Sequence, residues 1–235
     1  HQVTLFEKRK LGGYLHEASY PEFKADIRDA LRYLTTQVKK RGIAIVEKAA
    51  TAEDLKDFDA AVLAAGASPV RLPVPGSDRD HVMPAVDILT AEAKQPAGRL
   101  VVVGGGLIGT ETAVLLSQVE GNQVTIVEML PEIMRECSDC DRIVYSDMIR
   151  ENGIRVLTST QVREISDAGV VVEKQGRQET IPADYVLVAV GMKPNNDLYQ
   201  ALKAMGKRVY NVGDSLQTGK IYDAIHTGYK AALKI

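Results

Sequence analysis

Three observations predict an α/β fold with parallel sheets for this chain of 235 residues. Short apolar runs of Val, Ile and Leu alternate with helical stretches. One run leads straight into a glycine-rich turn, Arg99-Leu-Val-Val-Val-Gly104-Gly-Gly106-Leu-Ile-Gly109-Thr-Glu111, then through a helical stretch to Val119 and a second strand, Gln123-Val-Thr-Ile-Val127-Glu128. The opening residues, Gln2-Val3-Thr4-Leu5-Phe6-Glu7, repeat that second strand position by position. Alternation of strand and helix points to parallel strands joined by crossovers. The repeat points to two units of one kind. Hydrophobic residues make up 45% of the chain, with no Trp, which suits strands buried on both faces.

The elements follow in order. Val3–Glu7 reads as a strand. Pro21 opens a helix to about Lys40, with Ile27, Leu31, Leu34 and Val38 on one face and Gly42 as its stop. Ile43–Val46 and Ala60–Ala64 are strands. Pro69, Pro73, Pro75 and Gly76 mark an irregular crossing. Val86–Ala93 is a short helix, and Gln95–Gly98 a linker. After the fingerprint of Leu100–Glu128 come a helix from about Asp139 to Asn152 and a strand at Ile154–Leu157. Gln161–Ile165, Val170–Lys174 and Glu179–Ile181 form an antiparallel meander. Tyr185–Ala189 is a buried strand, Val209–Val212 the last strand and Asp223–Lys234 the last helix.

The glycine turn carries specific chemistry. Gly104 makes the tight turn after the strand. Gly106 leaves the backbone bare for a pyrophosphate, and Gly109 lets the helix pack closely on the strand. The helix N-terminus, with Ile108 in its first turn, offers free N–H groups and a positive dipole end. Glu128, closing the second strand, is placed to accept from an adenine ribose 2′-OH; the plainer alternative is a solvated strand-end acid. Together these define a Rossmann-like dinucleotide-binding unit. Met129, Leu130 and Pro131 follow, with no base before Arg135 to hold a 2′-phosphate, so NADH is expected over NADPH.

A net charge of −2 leaves no signature for nucleic acid or another polyanion. No apolar run reaches membrane-spanning length and no signal peptide is visible, so no membrane partner is expected. Two cysteines suggest a reducing, cytoplasmic setting. The opening residues are only the tail of the earlier unit. Its first strand and glycine loop are expected to precede them, and a chain lacking both is expected to retain no stoichiometric dinucleotide in that unit.

The chain resembles the C-terminal half of the NADH:flavin oxidoreductases, the family of 2,4-dienoyl-CoA reductase, enoate reductase and trimethylamine dehydrogenase. The resemblance rests on Leu5-Phe6-Glu7-Lys8, Leu11-Gly12-Gly13-Tyr14-Leu15, Ala64-Ala65-Gly66-Ala67-Ser68-Pro69, Gly104–Glu111, Ala189-Val190-Gly191-Met192-Lys193-Pro194-Asn195, Val212-Gly213-Asp214 and Ile221-Tyr222-Asp223-Ala224-Ile225-His226-Thr227-Gly228. It implies two Rossmann-like domains, an NAD domain at 95–195 inserted in a truncated FAD domain at 1–94 and 196–235. It further implies an N-terminal barrel of the same polypeptide carrying FMN and a [4Fe–4S] cluster, and allows a homo-oligomer. The reaction implied is hydride transfer from NADH to FAD and onward to an activated alkene such as an enoyl- or dienoyl-CoA.

On the FAD side, Glu7 stands where an acid binds the adenosine ribose, with Lys8 at the nucleotide edge. Gly12 and Gly13 let the backbone pass close to the cofactor. Ala65 and Gly66 form a turn with room for a phosphate or flavin edge, and Gly191 belongs to the matching turn of the NAD domain. Asp214, after Gly213, faces ribityl hydroxyls, and Ala224 and Ile225 open a helix aimed at the isoalloxazine. His226 reads as a packing or capping residue. Glu111 is either a contact of the nicotinamide or of the flavin's lysine partner, or a carboxylate favoured by the helix dipole alone. Cys137-Ser-Asp-Cys140 could be a dithiol couple or half a metal site, but no other cysteine exists to complete a cluster. Inert or merely oxidisable thiols are expected. Two rivals stay open: a thioredoxin-reductase-like disulfide reductase using Cys137 and Cys140, and a non-catalytic ADP-binding module.

Overall fold

The computed structural model describes all 235 residues, His1–Ile235. In chain order its elements are β1 (Thr4–Phe6), α1 (Leu15–Ala18), α2 (Asp26–Lys40), β2 (Ala44–Val46), β3 (Ala61–Leu63), β4 (Ala67–Pro69), β5 (Val82–Pro84), β6 (Arg99–Val103), α3 (Leu107–Ser117), β7 (Gln123–Val127), α4 (Asp139–Glu151) and β8 (Arg155–Leu157). Then come β9 (Gln161–Ser166), β10 (Gly169–Lys174), β11 (Arg177–Ile181), β12 (Tyr185–Val188), β13 (Met192–Pro194), α5 (Asp197–Ala204), β14 (Val209–Asn211) and α6 (Ile221–Ala232). The elements form two compact units. The outer unit comprises His1–Ser19, Lys24–Ser68 and Met192–Ile235; the inserted unit comprises Tyr20–Phe23 and Pro69–Gly191.

The boundaries differ from the expected 94/95 and 195/196, for a packing reason. Residues 69–94 carry β5, which pairs in parallel with β12 through Val82 and Val186. They also carry Ala85 and Ile88, which lie in the inserted unit's core.

The inserted unit is built on a five-stranded parallel sheet in the order β5-β12-β6-β7-β8. Consecutive residues of β6 point to opposite faces. Leu100 and Val102 join the cluster under α3 and α4, with Leu116, Ile126 and Leu187. Val101 and Val103 join the cluster under the antiparallel sheet β9-β10-β11, with Ile165, Val170 and Ile181. Both faces are covered, which is why β6 reads as an unbroken apolar run. The meander stands at its expected place and covers the face that α3 and α4 leave bare.

The outer unit is assembled from short pairs. β1 pairs with β2, and β3 with β14, both in parallel, while β4 and β13 form a third two-stranded sheet. Its apolar cluster holds three buried residues, Leu55, Leu63 and Leu202, packed with Phe6, Phe58, Leu198 and Val209.

Two expected helices change form. The helix expected from Pro21 begins as a 3-10 turn at Glu22–Lys24, and α2 starts only at Asp26. Phe23 is drawn to the edge of the Tyr145 ring in the inserted unit, 6.1 Å away, and that contact overrides helical continuity. The expected helix at 86–93 is a 3-10 turn at Ala85–Ile88. The Gln95 amide donates to the Ile88 carbonyl at 2.8 Å and caps the segment there. No helix is long and apolar enough to cross a membrane.

Candidate functional site

The glycine loop joins β6 to α3. Gly104 adopts a φ of 105°, and a Cβ there would lie 2.4 Å from the Ala189 carbonyl oxygen. A Cβ on Gly109 would lie 1.9 Å from the Gly104 carbonyl oxygen. These two glycines are therefore fixed by packing, the first against the end of β12 and the second against the loop itself. Gly106 differs: a Cβ there would meet only the Glu136 carboxylate, at 2.9 Å. Its bare side is turned toward the Glu136 side chain. Ile108 lies in the first turn of α3, half-buried against the core. Gly191, with a φ of 120°, has open space around its missing Cβ, and its carbonyl accepts from Val70 N–H at 3.0 Å.

Glu128 follows β7 and is buried at 8% exposure. Its Oε2 accepts from Gly105 N–H at 2.6 Å and its Oε1 from Leu130 N–H at 2.7 Å. The carboxylate is thus tied to the loop that would hold the pyrophosphate. Each oxygen keeps a further lone pair with which to accept from a hydroxyl. No basic side chain enters this arrangement.

The outer unit repeats part of this geometry. Glu7 N–H donates to Val46 O at 3.1 Å, as Glu128 N–H donates to Leu157 O at 2.8 Å. Glu7 Oε1 accepts from Arg9 N–H at 2.8 Å, as Glu128 accepts two residues on. Lys8 is exposed. Gly12 and Gly13 take left-handed φ values of 124° and 52° where the chain turns into α1. A Cβ on Gly12 would strike Leu31 of α2 at 2.2 Å, so this glycine serves helix packing, whereas Gly13 faces open space.

The Ala65-Gly66 turn is held by Asn195. Its N–H donates to Gly66 O at 3.0 Å, its Nδ2 donates to Ala65 O at 3.1 Å, and its Oδ1 accepts from Ser68 Oγ at 2.8 Å. Gly213 N–H donates to Thr227 Oγ1 at 2.9 Å, which fastens the Gly213-Asp214 turn to α6; Asp214 Oδ1 accepts from Gly219 N–H at 3.0 Å. One expectation needs correction here. α6 opens at Ile221, two residues earlier than expected, and Ala224 N–H already bonds to Lys220 O at 3.2 Å. The amides free to point outward are those of residues 221–223. Ala224 instead packs its Cβ toward Gly213, Ile225 is exposed, and His226 stacks on Tyr222 with ring centroids 4.0 Å apart.

Glu111 is turned inward. It is 4% exposed, and its Oε1 accepts from the Tyr145 phenol of α4 at 2.8 Å. Burial first, and the Glu111 charge second, hold the Tyr145 phenol far above its usual range. The carboxylate braces α3 on α4, and a contact with nicotinamide or flavin would require it to leave that bond. Cys137 is half-buried and packs on the core, Cys140 is exposed, and no disulfide joins them. Ser138 between them caps α4, its Oγ accepting from Asp141 N–H at 3.2 Å.

Sequence reasoning missed Tyr145, Asn195 as a clamp, Thr227 and Glu136. Asn195 stood inside a quoted motif. Glu136, whose Oε1 accepts from Leu107 N–H at 2.9 Å, gave no signal, because it lies in an irregular segment.

A parallel sheet with a three-glycine cradle, a buried acid on the loop and a helix N-terminus facing out defines a dinucleotide-binding oxidoreductase domain. The chain belongs to the pyridine nucleotide-disulphide oxidoreductase family, whose profile matches residues 7–223; members use FAD and a nicotinamide dinucleotide. It is 40% identical over 237 aligned residues to bilirubin reductase of Mediterraneibacter gnavus, covering 99% of this chain and 37% of that protein. It is 34% identical to cinnamate reductase of Clostridium sporogenes, covering 100% of this chain and 36% of that protein. Among solved structures it matches a 2-naphthoyl-CoA reductase complex with a TM-score of 0.92 at 31% identity, covering 100% of this chain and 36% of the other. The chain therefore spans little more than a third of the length of these relatives.

Proposed function

We propose that this chain is the electron-entry portion of a longer NADH-dependent flavin oxidoreductase. NADH would bind the inserted unit and FAD the outer one. The observation that carries the reading is the Gly104–Gly109 cradle with Glu128 bonded to Gly105 N–H. The residues fit a dinucleotide: Gly106 presents bare backbone where the α3 amides begin, and Glu128 offers a ribose acceptor with no base nearby for a 2′-phosphate. Once bound, NADH and FAD supply the hydride chemistry.

The chain's own residues bind and orient. Glu128 anchors the adenosine ribose, and the α3 N-terminus neutralises pyrophosphate charge. Glu7 does for the flavin nucleotide's ribose what Glu128 does for that of NADH. Asn195 fixes the Ala65-Gly66 turn, and Thr227 fixes the Gly213-Asp214 turn, so that both stay in place against a cofactor edge. Electrons would leave for an FMN- and [4Fe–4S]-bearing barrel of the same polypeptide, and from there reduce an activated alkene. The reductase names of the three relatives support that direction of electron flow.

An absorbance spectrum of the purified full-length protein tests this. Flavin bands with a cluster shoulder, bleached by NADH, are expected. Flavin with a dithiol charge-transfer band would favour a disulfide reductase using Cys137 and Cys140, and absence of flavin would favour a nucleotide-holding module. Replacing both cysteines by Ser should leave NADH-driven flavin reduction nearly unchanged. A fall of about a hundredfold, roughly 2.7 kcal/mol of barrier, would overturn that view of the thiols.

A further inference from the structure

The segment between β7 and α4 lies across the glycine loop as a strap. Met134 is buried at 2% exposure and holds a left-handed φ of 54°, a conformation that residues other than glycine seldom adopt. Its N–H donates to the Gly105 carbonyl at 2.7 Å. Ile133 lies directly over Gly105, where an added Cβ would be 2.4 Å from its Cγ2. These two residues anchor the strap and deliver Glu136 to the first amide of α3, Leu107 N–H, at 2.9 Å.

That amide stands where a dinucleotide pyrophosphate would be held. A carboxylate oxygen and a phosphate oxygen ask the same thing of it: one charge-assisted hydrogen bond in one place. Both cannot have it. Glu136 is exposed, so it can swing into water without burying a charge. Glu128, buried and fixed by two N–H donors, stays. We propose that Glu136 is a built-in stand-in for the pyrophosphate, holding the empty loop ordered and lowering dinucleotide affinity because it must be displaced. The inference rests on the nucleotide reading above and adds to it a residue that sets affinity.

The test is titration of the full chain with NADH, and separately with ADP-ribose, for wild type, E136A, E136Q and E132Q. Glu132 is the control: it carries the same charge nearby but pairs with the Arg142 side chain at 3.8 Å rather than with a loop amide. E136A should bind both ligands about tenfold more tightly, equivalent to ~1.4 kcal/mol. E136Q should fall between it and wild type, and E132Q should stay within about twofold of wild type, since an exposed charge off the loop is screened. Circular dichroism of each variant shows that it is folded. Unchanged or weaker binding in E136A overturns the proposal, as does an equal gain in E132Q, which would indicate bulk charge. A gain for NADH without one for ADP-ribose would also overturn it, since the effect would then lie at the nicotinamide end. If NADH binds to none of the four proteins, the nucleotide reading itself fails, and this inference with it.

Discussion

Gln123–Glu128 and Gln2–Glu7 are nearly the same hexapeptide in two settings. Both run as strands, both pair in parallel with a later strand, and both end in a Glu that accepts from the N–H two residues on. Local structure is therefore written in the hexapeptide. Energy is not. β7 lies between β6 and β8, and Val124, Ile126 and Val127 are 6%, 0% and 2% exposed. β1 pairs with β2 alone, Leu5 and Phe6 are half-buried, and Val3 is 50% exposed. Neighbours on both sides turn the same residues from a ribbon into a core.

The largest effect expected from this contrast comes from adding one methyl group. Gly109→Ala puts a Cβ 1.9 Å from a backbone carbonyl that cannot move without opening the loop. It should cost about 4 kcal/mol or more, or prevent the inserted unit from folding. Gly13→Ala in the outer unit meets open space and only its left-handed φ, a cost of about 1 kcal/mol. Urea unfolding of both variants measures the difference; equal losses would mean that the two loops are equally constrained.

Truncating the matched strands should separate them next. Ile126→Ala removes a fully buried side chain and should cost about 2–5 kcal/mol. Leu5→Ala, at the aligned position, removes a half-buried one and should cost about 1 kcal/mol. A loss between these two is expected for Tyr145→Phe, which takes one hydrogen bond from the buried Glu111 carboxylate, about 1–3 kcal/mol by the same measurement.

The smallest effect concerns acid. Arg99 clamps Asp184 through its side chain and its N–H, and holds the carboxyl at about 2 against an ordinary 3.8. A depressed carboxyl stabilises the fold fully above pH 3.8, and that contribution is lost as pH falls toward about 2. Asp184→Asn should therefore flatten acid unfolding in that window, with a small loss of stability at neutral pH that vanishes as pH falls toward about 2. A wild-type profile already flat there would show the clamp to be inert.

What was legible in the sequence shares a physical origin with what was not. The glycine turn, the placement of Glu128 after β7 and the meander were readable because each is set by residues within one strand–turn–helix or hairpin. β5 and β13 were not, since each has only three residues and becomes a strand through a partner about a hundred residues distant in sequence. α5 was readable in principle from Leu198 and Leu202 at i, i+4, but Asn195-Asn196-Asp197 reads first as a turn. Tyr145 on Glu111 and Glu136 on Leu107 are tertiary pairings with no local signature.

The central claim is that the inserted unit is an NADH site whose ribose acceptor is Glu128. Calorimetric titration of the unaltered chain with NADH and NADPH tests it most directly. NADH should bind about tenfold or more tightly than NADPH, because a 2′-phosphate would face a buried carboxylate with no base beside it, and Glu128→Ala should narrow the gap. NADPH binding as tight as NADH, or tighter, would contradict the claim.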